Sequence, residues 1–364
     1  MNENFQRHNV EILCAEELAE LSQSFKDYAK PENWYCSPQA VLMFIMGGTL
    51  ANGFKISPKY FGDKALVEIM ISTLMSDRAL LLIGVPGTAK TWIAEHICAA
   101  VSNNSSLLIQ GTSGTGEESL RYSWNYAMLL SQGPKPQALV KSPIMRAMEL
   151  GSICRIEELS RIPSETQDAL ISILSEKTMS IPELNSSIFS KNGFNVVATA
   201  NHLDRGVFEM SSALRRRFNI VMMPLPKTLE EEVKIVKYRV GQLEQNHKVA
   251  FRDLKLGQVD KLVTMFRELR SGMTLDKKQK FKSSNATLSP AEAISIVHQA
   301  KIQSEIFGGD NHSLNQHFAQ GLIQSIGQHS QDEMLLLKEY IENIIKKRGD
   351  WKDWYEAFKS VLNE

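Results

Sequence analysis

One stretch of this chain leaves little freedom in what can surround it: Leu80-Leu81-Leu82-Ile83-Gly84-Val85-Pro86-Gly87-Thr88-Ala89-Lys90-Thr91. A short apolar run predicts a buried strand, the Gly-Pro-Gly segment a tight turn, and Trp92 to Ile97 the start of a helix. Backbone N–H groups of such a loop point inward and can cradle phosphate oxygens. In the P-loop pattern G-x-x-x-x-G-K-[ST], the lysine (Lys90) reaches the β- and γ-phosphates and the hydroxyl (Thr91) binds Mg²⁺. The residue before the lysine is Ala89 rather than glycine. A methyl group there calls for an ordinary backbone angle, so the loop is expected to differ slightly or to tolerate the Cβ. The competing reading is a plain turn without ligand, and the strand–loop–helix context argues against it.

With 364 residues, 43% of them hydrophobic, the chain has room for two or three domains and a large core. Lys plus Arg and Asp plus Glu both number 41, so no global charge points to a nucleic acid or an anionic membrane. The apolar run Val41 to Met46 is far shorter than the roughly 18 residues that span a bilayer, and Met1 to His8 lacks a signal-peptide core. Cys14, Cys36, Cys98 and Cys154 have no metal-ligand spacing and the histidines are scattered. A reduced, cytoplasmic protein is expected, with no metal beyond Mg²⁺ carried by nucleotide.

Helical spacing runs from about Asn9 to Phe25, and Ser37-Pro38 opens a second helix. Lys59-Tyr60-Phe61-Gly62-Asp63 precedes an amphipathic helix over Ala65 to Ser76. Tyr60 and Phe61 are candidates for an adenine pocket, with ordinary core packing the alternative. After the P-loop helix come four more apolar runs, at Ser106–Ile109, Ser152–Ile156, Asn195–Thr199 and Asn219–Met223. Strands alternating with helices predict an α/β fold with a parallel sheet. Ligands of such sheets lie at the carboxyl ends of the strands. Glu157-Glu158 follows the third strand: one carboxylate can hold Mg²⁺ through water while the other orients the attacking water, or the pair merely starts a helix. Asn201 follows the fourth strand and can bond a γ-phosphate or the lytic water, or form an Asx turn. Arg215-Arg216-Arg217 precedes the last strand, either as a finger offered to a neighbour's nucleotide or as a solvated basic turn.

In that order and spacing, these pieces resemble an AAA+ ATPase of the MoxR branch. Gly84 to Thr91 is similar to the MoxR P-loop, which also carries alanine before the lysine. Glu157-Glu158-Leu159-Ser160-Arg161-Ile162-Pro163 is similar to its acidic-pair segment, and Ala198-Thr199-Ala200-Asn201 to its sensor-1 strand. The resemblance is strong over about Tyr60 to Pro226. It implies a parallel AAA+ sheet flanked by helices, followed by a helical lid. The implied organisation is a helical extension over 1–55, the nucleotide-binding domain over 56–226, the lid over 227–330 and helices packed on the lid over 331–364.

The same resemblance implies Walker A roles for Gly84, Val85, Pro86, Gly87, Thr88, Ala89, Lys90 and Thr91, with ATP and Mg²⁺ as cofactors. Glu157 stands for the Walker B aspartate, Glu158 is the catalytic base, Asn201 is sensor 1, and Arg217 or Arg216 is a finger supplied in trans within a ring, a hexamer by family habit. Two inserts are implied, at Gly111 to Leu130 and as a hairpin over Met179 to Phe194. The partner implied is a protein with a von Willebrand A domain, with neither membrane nor nucleic acid expected. Two departures stand out. Glu157 is a methylene longer than aspartate, and no arginine stands near Ser289-Pro290 where sensor 2 belongs, leaving Arg267 or Arg270 as substitutes. They motivate an alternative, a nucleotide-gated scaffold with little turnover. A nucleic-acid-directed motor is a further alternative. In the lid, Thr228 caps a helix to about Leu243, and helices are expected near Val259–Leu269, Pro290–Ile306 and Leu314–Ile326, with a break at Gly308 to Asn311. Asp276 to Asn285 reads as a mobile lysine-rich loop, and the tail from Asp332 to Leu362 as an apolar helical stripe broken at Gly349.

Overall fold

In a computed structural model, the structure describes residues 7–201, 208–245, 251, 253–254, 257–307, 313–328 and 330–363. Two compact units are present: Met1–Val85 with Ala89–Met223, and Pro86–Thr88 with Pro224–Glu364. The expected break at Gly308 to Asn311 lies outside the described residues.

The first unit is built on a five-stranded parallel sheet of β1 (Ala79–Gly84), β2 (Leu108–Gln110), β3 (Ile153–Glu157), β4 (Asn195–Asn201) and β5 (Phe218–Met222). Spatial order is β5-β1-β4-β3-β2. The apolar runs read in the sequence therefore form the strands, and being covered on both faces they lack polar alternation. All seven residues of β4 are buried. Register places Asn201 beside Gly84 and Ala198 beside Ile156. The ends of β1, β3 and β4 thus meet at one edge.

The N-terminal extension is part of this unit's core. Ser37 caps the helix Pro38–Met46 through its side chain, with Pro38 at the first turn, as the sequence predicts. Val10, Leu18, Leu21, Trp34 and Phe44 share one buried cluster with Leu80, Ile93 and Val197. Lys59 is buried there, paired with Glu17 and placed 4.4 Å from the centre of the Phe44 ring. Burial pushes the Cys36 and Cys98 thiols up to about 12 and raises Cys154 further, so these cysteines serve as small hydrophobes.

The second unit is helical: Leu229–Glu244, Gln258–Ser271, Pro290–Ile306, Leu314–Gly327, Gln331–Asn343 and Lys352–Asn363. Thr228 and Glu231 form a complete capping box at its first helix. Trp351, Trp354 and Phe358 of the tail pack in the same cluster as Val236, Phe266 and Phe318. The segment read as a mobile loop is tied down. Met273 bridges Lys280, and Glu333 accepts bonds from Ser284 Oγ (2.5 Å) and Asn285 N (3.0 Å).

Arg267 and Arg270 are both engaged within the second unit. Both clasp Glu232, which is fully buried, at 2.8 and 3.0 Å. Arg267 also donates to the carbonyls of Pro226 (3.1 Å) and Lys227 (2.9 Å), and Arg270 to that of Leu288 (2.6 Å). Two cations around one buried carboxylate lock the start of the second unit. Removing one partner of such a group leaves uncompensated buried charge. Glu232→Ala is therefore expected to destabilise the second unit by about 3 kcal/mol, read as a lowered midpoint in thermal unfolding. Lys338→Ala, on a helix exterior, serves as the unaffected control.

Candidate functional site

The turn after β1 holds its shape through left-handed residues at Gly87 (φ 77°) and Ala89 (φ 62°). Ala89 thus does not keep the ordinary angle expected from its methyl group. The loop tolerates the Cβ in a conformation that costs an L-residue roughly 1–2 kcal/mol. Lys90 starts the helix Lys90–Ser102 and is buried. Its Nζ donates to the Gly84 and Val85 carbonyls, both at 2.9 Å. The acceptors are the last residue of β1 and the first of the loop, so the ammonium lies against the start of the turn.

Thr91 reaches across to the end of β3, where its hydroxyl donates to Glu157 Oε2 at 2.7 Å. The Thr199 hydroxyl of β4 donates to the same oxygen and accepts the Glu158 N–H at 3.2 Å. The extra methylene of glutamate does not keep Glu157 from the P-loop threonine. A hydroxyl beside a buried carboxylate is a set of hard oxygens that suits Mg²⁺ with part of its water shell.

Glu158 turns sharply out of the strand, in a left-handed conformation (φ 54°). Asn201 Nδ2 donates to both its carboxylate oxygens, at 3.0 and 3.1 Å, and Arg161 Nε lies 3.5 Å from Oε2. Its side chain is 24% exposed against 4% for Glu157. The two adjacent carboxylates are therefore differentiated: one sealed and bonded to hydroxyls, one presented to solvent and aimed by an amide. Strain at a polar residue in a cleft is characteristic of functional positions.

Gly111, just past β2, donates its N–H to the Glu157 carbonyl at 2.7 Å. A Cβ on Gly111 would lie 2.4 Å from the Glu158 carbonyl oxygen. Sequence reasoning assigns this glycine no role beyond starting an insert, because the close approach depends on β2 lying beside β3. Trp92 was also missed: its Nε1 donates to the Lys59 carbonyl at 3.0 Å, binding the segment before Tyr60 to the P-loop helix. Tyr60 itself is buried in the first unit's core and Phe61 is half-buried.

Arg217 is not brought to this constellation. Its carbonyl pairs with Ala79, at the start of β1, and the five steps to Gly84 span about 17 Å. Its guanidinium is engaged by Ser175 Oγ and the Ala213 carbonyl, both at 2.8 Å. Arg216 is exposed. Both arginines lie at the sheet edge opposite the chain's own P-loop.

The two inserts form one feature. The ribbon Tyr122–Trp124 with Leu139–Lys141 encloses the helix Tyr126–Gln132, and the hairpin pairs Thr178–Ile181 with Ser186–Phe189. Tyr122 Oη and Trp124 Nε1 both donate to Glu183, at 2.8 and 3.4 Å. Burial and that carboxylate push the Tyr122 hydroxyl up to about 12.

A β5-β1-β4-β3-β2 sheet with a phosphate loop after β1 and differentiated acids after β3 defines a P-loop nucleotide-binding domain of the AAA kind. Residues 79–218 match the family described as AAA domain (dynein-related subfamily). The chain is 35% identical over 369 residues to the uncharacterised protein YehL of Escherichia coli K12, covering 98% of each. It is 30% identical over 189 residues to Chaperone MoxR1 of Mycobacterium tuberculosis, covering 52% of this chain and 47% of that protein. An ADP complex of NtrX from Brucella abortus overlays distantly, with a TM-score of 0.49 and 12% identity over 84% of this chain and 69% of that one. The chain belongs to the MoxR-type AAA+ ATPases.

Gly111→Ala tests the site geometry. Displacing the acidic pair by about 1 Å is expected to cut phosphate release from ATP by roughly a hundredfold. Gly114→Ala, whose Cβ meets nothing closer than 3.9 Å, is expected to leave it unchanged.

Proposed function

We propose that the protein binds ATP with Mg²⁺ at the P-loop, hydrolyses it with Glu158 as general base, and uses the cycle to remodel or activate a partner protein. The observation that carries this reading is the two-oxygen hold of Asn201 on a strained, solvent-facing Glu158, beside the buried Thr91–Glu157–Thr199 cluster. Lys90 exchanges its loop carbonyls for phosphate oxygens as nucleotide enters. Thr91 and Glu157 would hold Mg²⁺, which when bound would supply charge neutralisation on the transferred phosphoryl group. Glu158 takes the proton of the attacking water, and Asn201 fixes the carboxylate so that one oxygen faces that water.

The arginines favour a site shared between subunits. Arg216 and Arg217 lie at the sheet edge away from their own loop, so in this reading they serve a neighbour's nucleotide in a ring, a hexamer by family habit. Arg216 is the better finger, since Arg217 is bonded to Ser175 and Ala213. Tyr60 and Phe61 border the adenine. The remodelling role accords with the chaperone designation of the mycobacterial relative, and the partner we expect carries a von Willebrand A domain, in the cytoplasm. No described helix is long and apolar enough to cross a membrane. One observation favours the scaffold alternative: Arg267 and Arg270 are both committed to Glu232, which leaves the sensor-2 position without either of them.

Three substitutions decide among these readings. Lys90→Ala is expected to abolish ATP binding in equilibrium dialysis, and retained affinity would refute the loop assignment. Glu158→Gln should keep binding and lower turnover by at least about a hundredfold; full turnover would move the base elsewhere. Arg216→Ala should be inactive alone and recover when mixed with Lys90→Ala subunits, each supplying what the other lacks. Recovery with Arg217→Ala instead would exchange the two roles.

A further inference from the structure

Two strand positions before Glu157 stands an arginine that none of the assigned roles uses. Arg155 and Glu157 share one face of β3, because side chains alternate along a strand. The Arg155 side chain is 6% exposed and its NH1 lies 3.6 Å from Glu157 Oε1 and 3.8 Å from Glu95 Oε2. Glu95 belongs to the P-loop helix and is also paired with Arg7 of the N-terminal segment at 2.5 Å. Arg155 NH2 donates to the Ser105 carbonyl at 3.5 Å, and Ser105 in turn is held through its N–H and hydroxyl by Glu11, at 3.1 and 2.7 Å. A file of alternating charge, Arg7–Glu95–Arg155–Glu157, runs from the N-terminal segment to the acidic strand end.

We propose that Arg155 is a positioning residue that matches this site to a glutamate in place of aspartate, drawing Glu157 Oε1 back while Thr91 and Thr199 hold Oε2. This rests on the reading of Glu157 as the carboxylate that faces the metal. The geometry supports it in two ways. Arg155 makes no close two-pronged pair of the kind that stabilises a fold, at about 2.7–2.9 Å; Arg155 NH1 and Glu157 Oε1 are buried without a hydrogen-bond partner. The contact is therefore an electrostatic tether, weak as a structural bond yet little screened in a buried setting. The longer side chain also gives Glu157 its two-sided reach. An aspartate, one methylene shorter, would withdraw from Arg155 or from the two hydroxyls.

The test is a double-mutant cycle read by binding of a fluorescent ADP analogue as Mg²⁺ is varied, with activity recorded alongside. Glu157→Asp alone is expected to raise the half-saturating Mg²⁺ concentration about fivefold and Arg155→Met about tenfold. Independent effects would multiply to about fiftyfold, whereas a matched pair predicts about tenfold or less for the double variant. Arg155→Lys should recover part of the loss when Glu157 is present and none in the Glu157→Asp background, because the charge remains but sits on a side chain of different reach. Effects that multiply within twofold would overturn the proposal, since a merely structural arginine destabilises the fold whatever stands at position 157. If Arg155→Met does not fold, the cycle is run with Arg155→Lys in its place. Glu157→Gln separates the two levels: no change in Mg²⁺ dependence would sink the metal reading itself, while a clear change without coupling to Arg155 would sink the positioning role alone.

Discussion

Parallel pairing of β4 between β1 and β3 is the constraint on which the site depends. With Asn201 opposite Gly84 and Ala198 opposite Ile156, the amide stands beside the phosphate loop and Thr199 beside Glu157. Side-chain period two does the rest: Thr199 and Asn201 project from one face, so one meets the sealed carboxylate and the other the exposed one. A slip of a single residue would turn both away from their partners. The geometry of the candidate site is thus a property of strand registry, and registry is held by the burial of β1, β3 and β4.

Burial also explains why the two adjacent glutamates can differ. Glu157 is the last residue of β3 and lies within the core boundary, where an unpartnered anion would be costly. It is met by two hydroxyls and faced by a guanidinium. Glu158 leaves the strand in a left-handed turn and gains solvent, an amide and Arg161. Sequence adjacency with opposite environments is what fits one acidic pair for the two roles proposed for it. The second unit uses buried charge differently: Glu232 and Glu268 each anchor arginines that fasten the helices, and these contacts specify structure.

The strands, the loop and the acidic pair were legible because each follows from a local pattern: an apolar run, a glycine turn, a carboxylate at a strand end. The N-cap at Ser37 and the capping box at Thr228 were legible for the same reason. Four features were not. Ala89 adopts the left-handed angle because the loop closes around Lys90, which outweighs the preference of an isolated methyl-bearing residue. Gly111 matters through its approach to a neighbouring strand, which no local pattern encodes. The engagement of Arg267 and Arg270 was hidden because their partner, Glu232, lies more than thirty positions away in the chain. Arg155 was hidden inside an apolar run, and its partners come from the P-loop helix and the N-terminal segment. In each case the missing information was long-range contact.

In the proposed mechanism the site is composite, with base and sensor from one subunit and the arginine from the next. Steady-state phosphate release from ATP, measured per subunit across a wide range of protein concentration, tests it most directly. A composite site gives specific activity that rises with concentration and then levels off as subunits assemble. Specific activity that is constant from the most dilute sample upward, with the chain monomeric throughout, would contradict it.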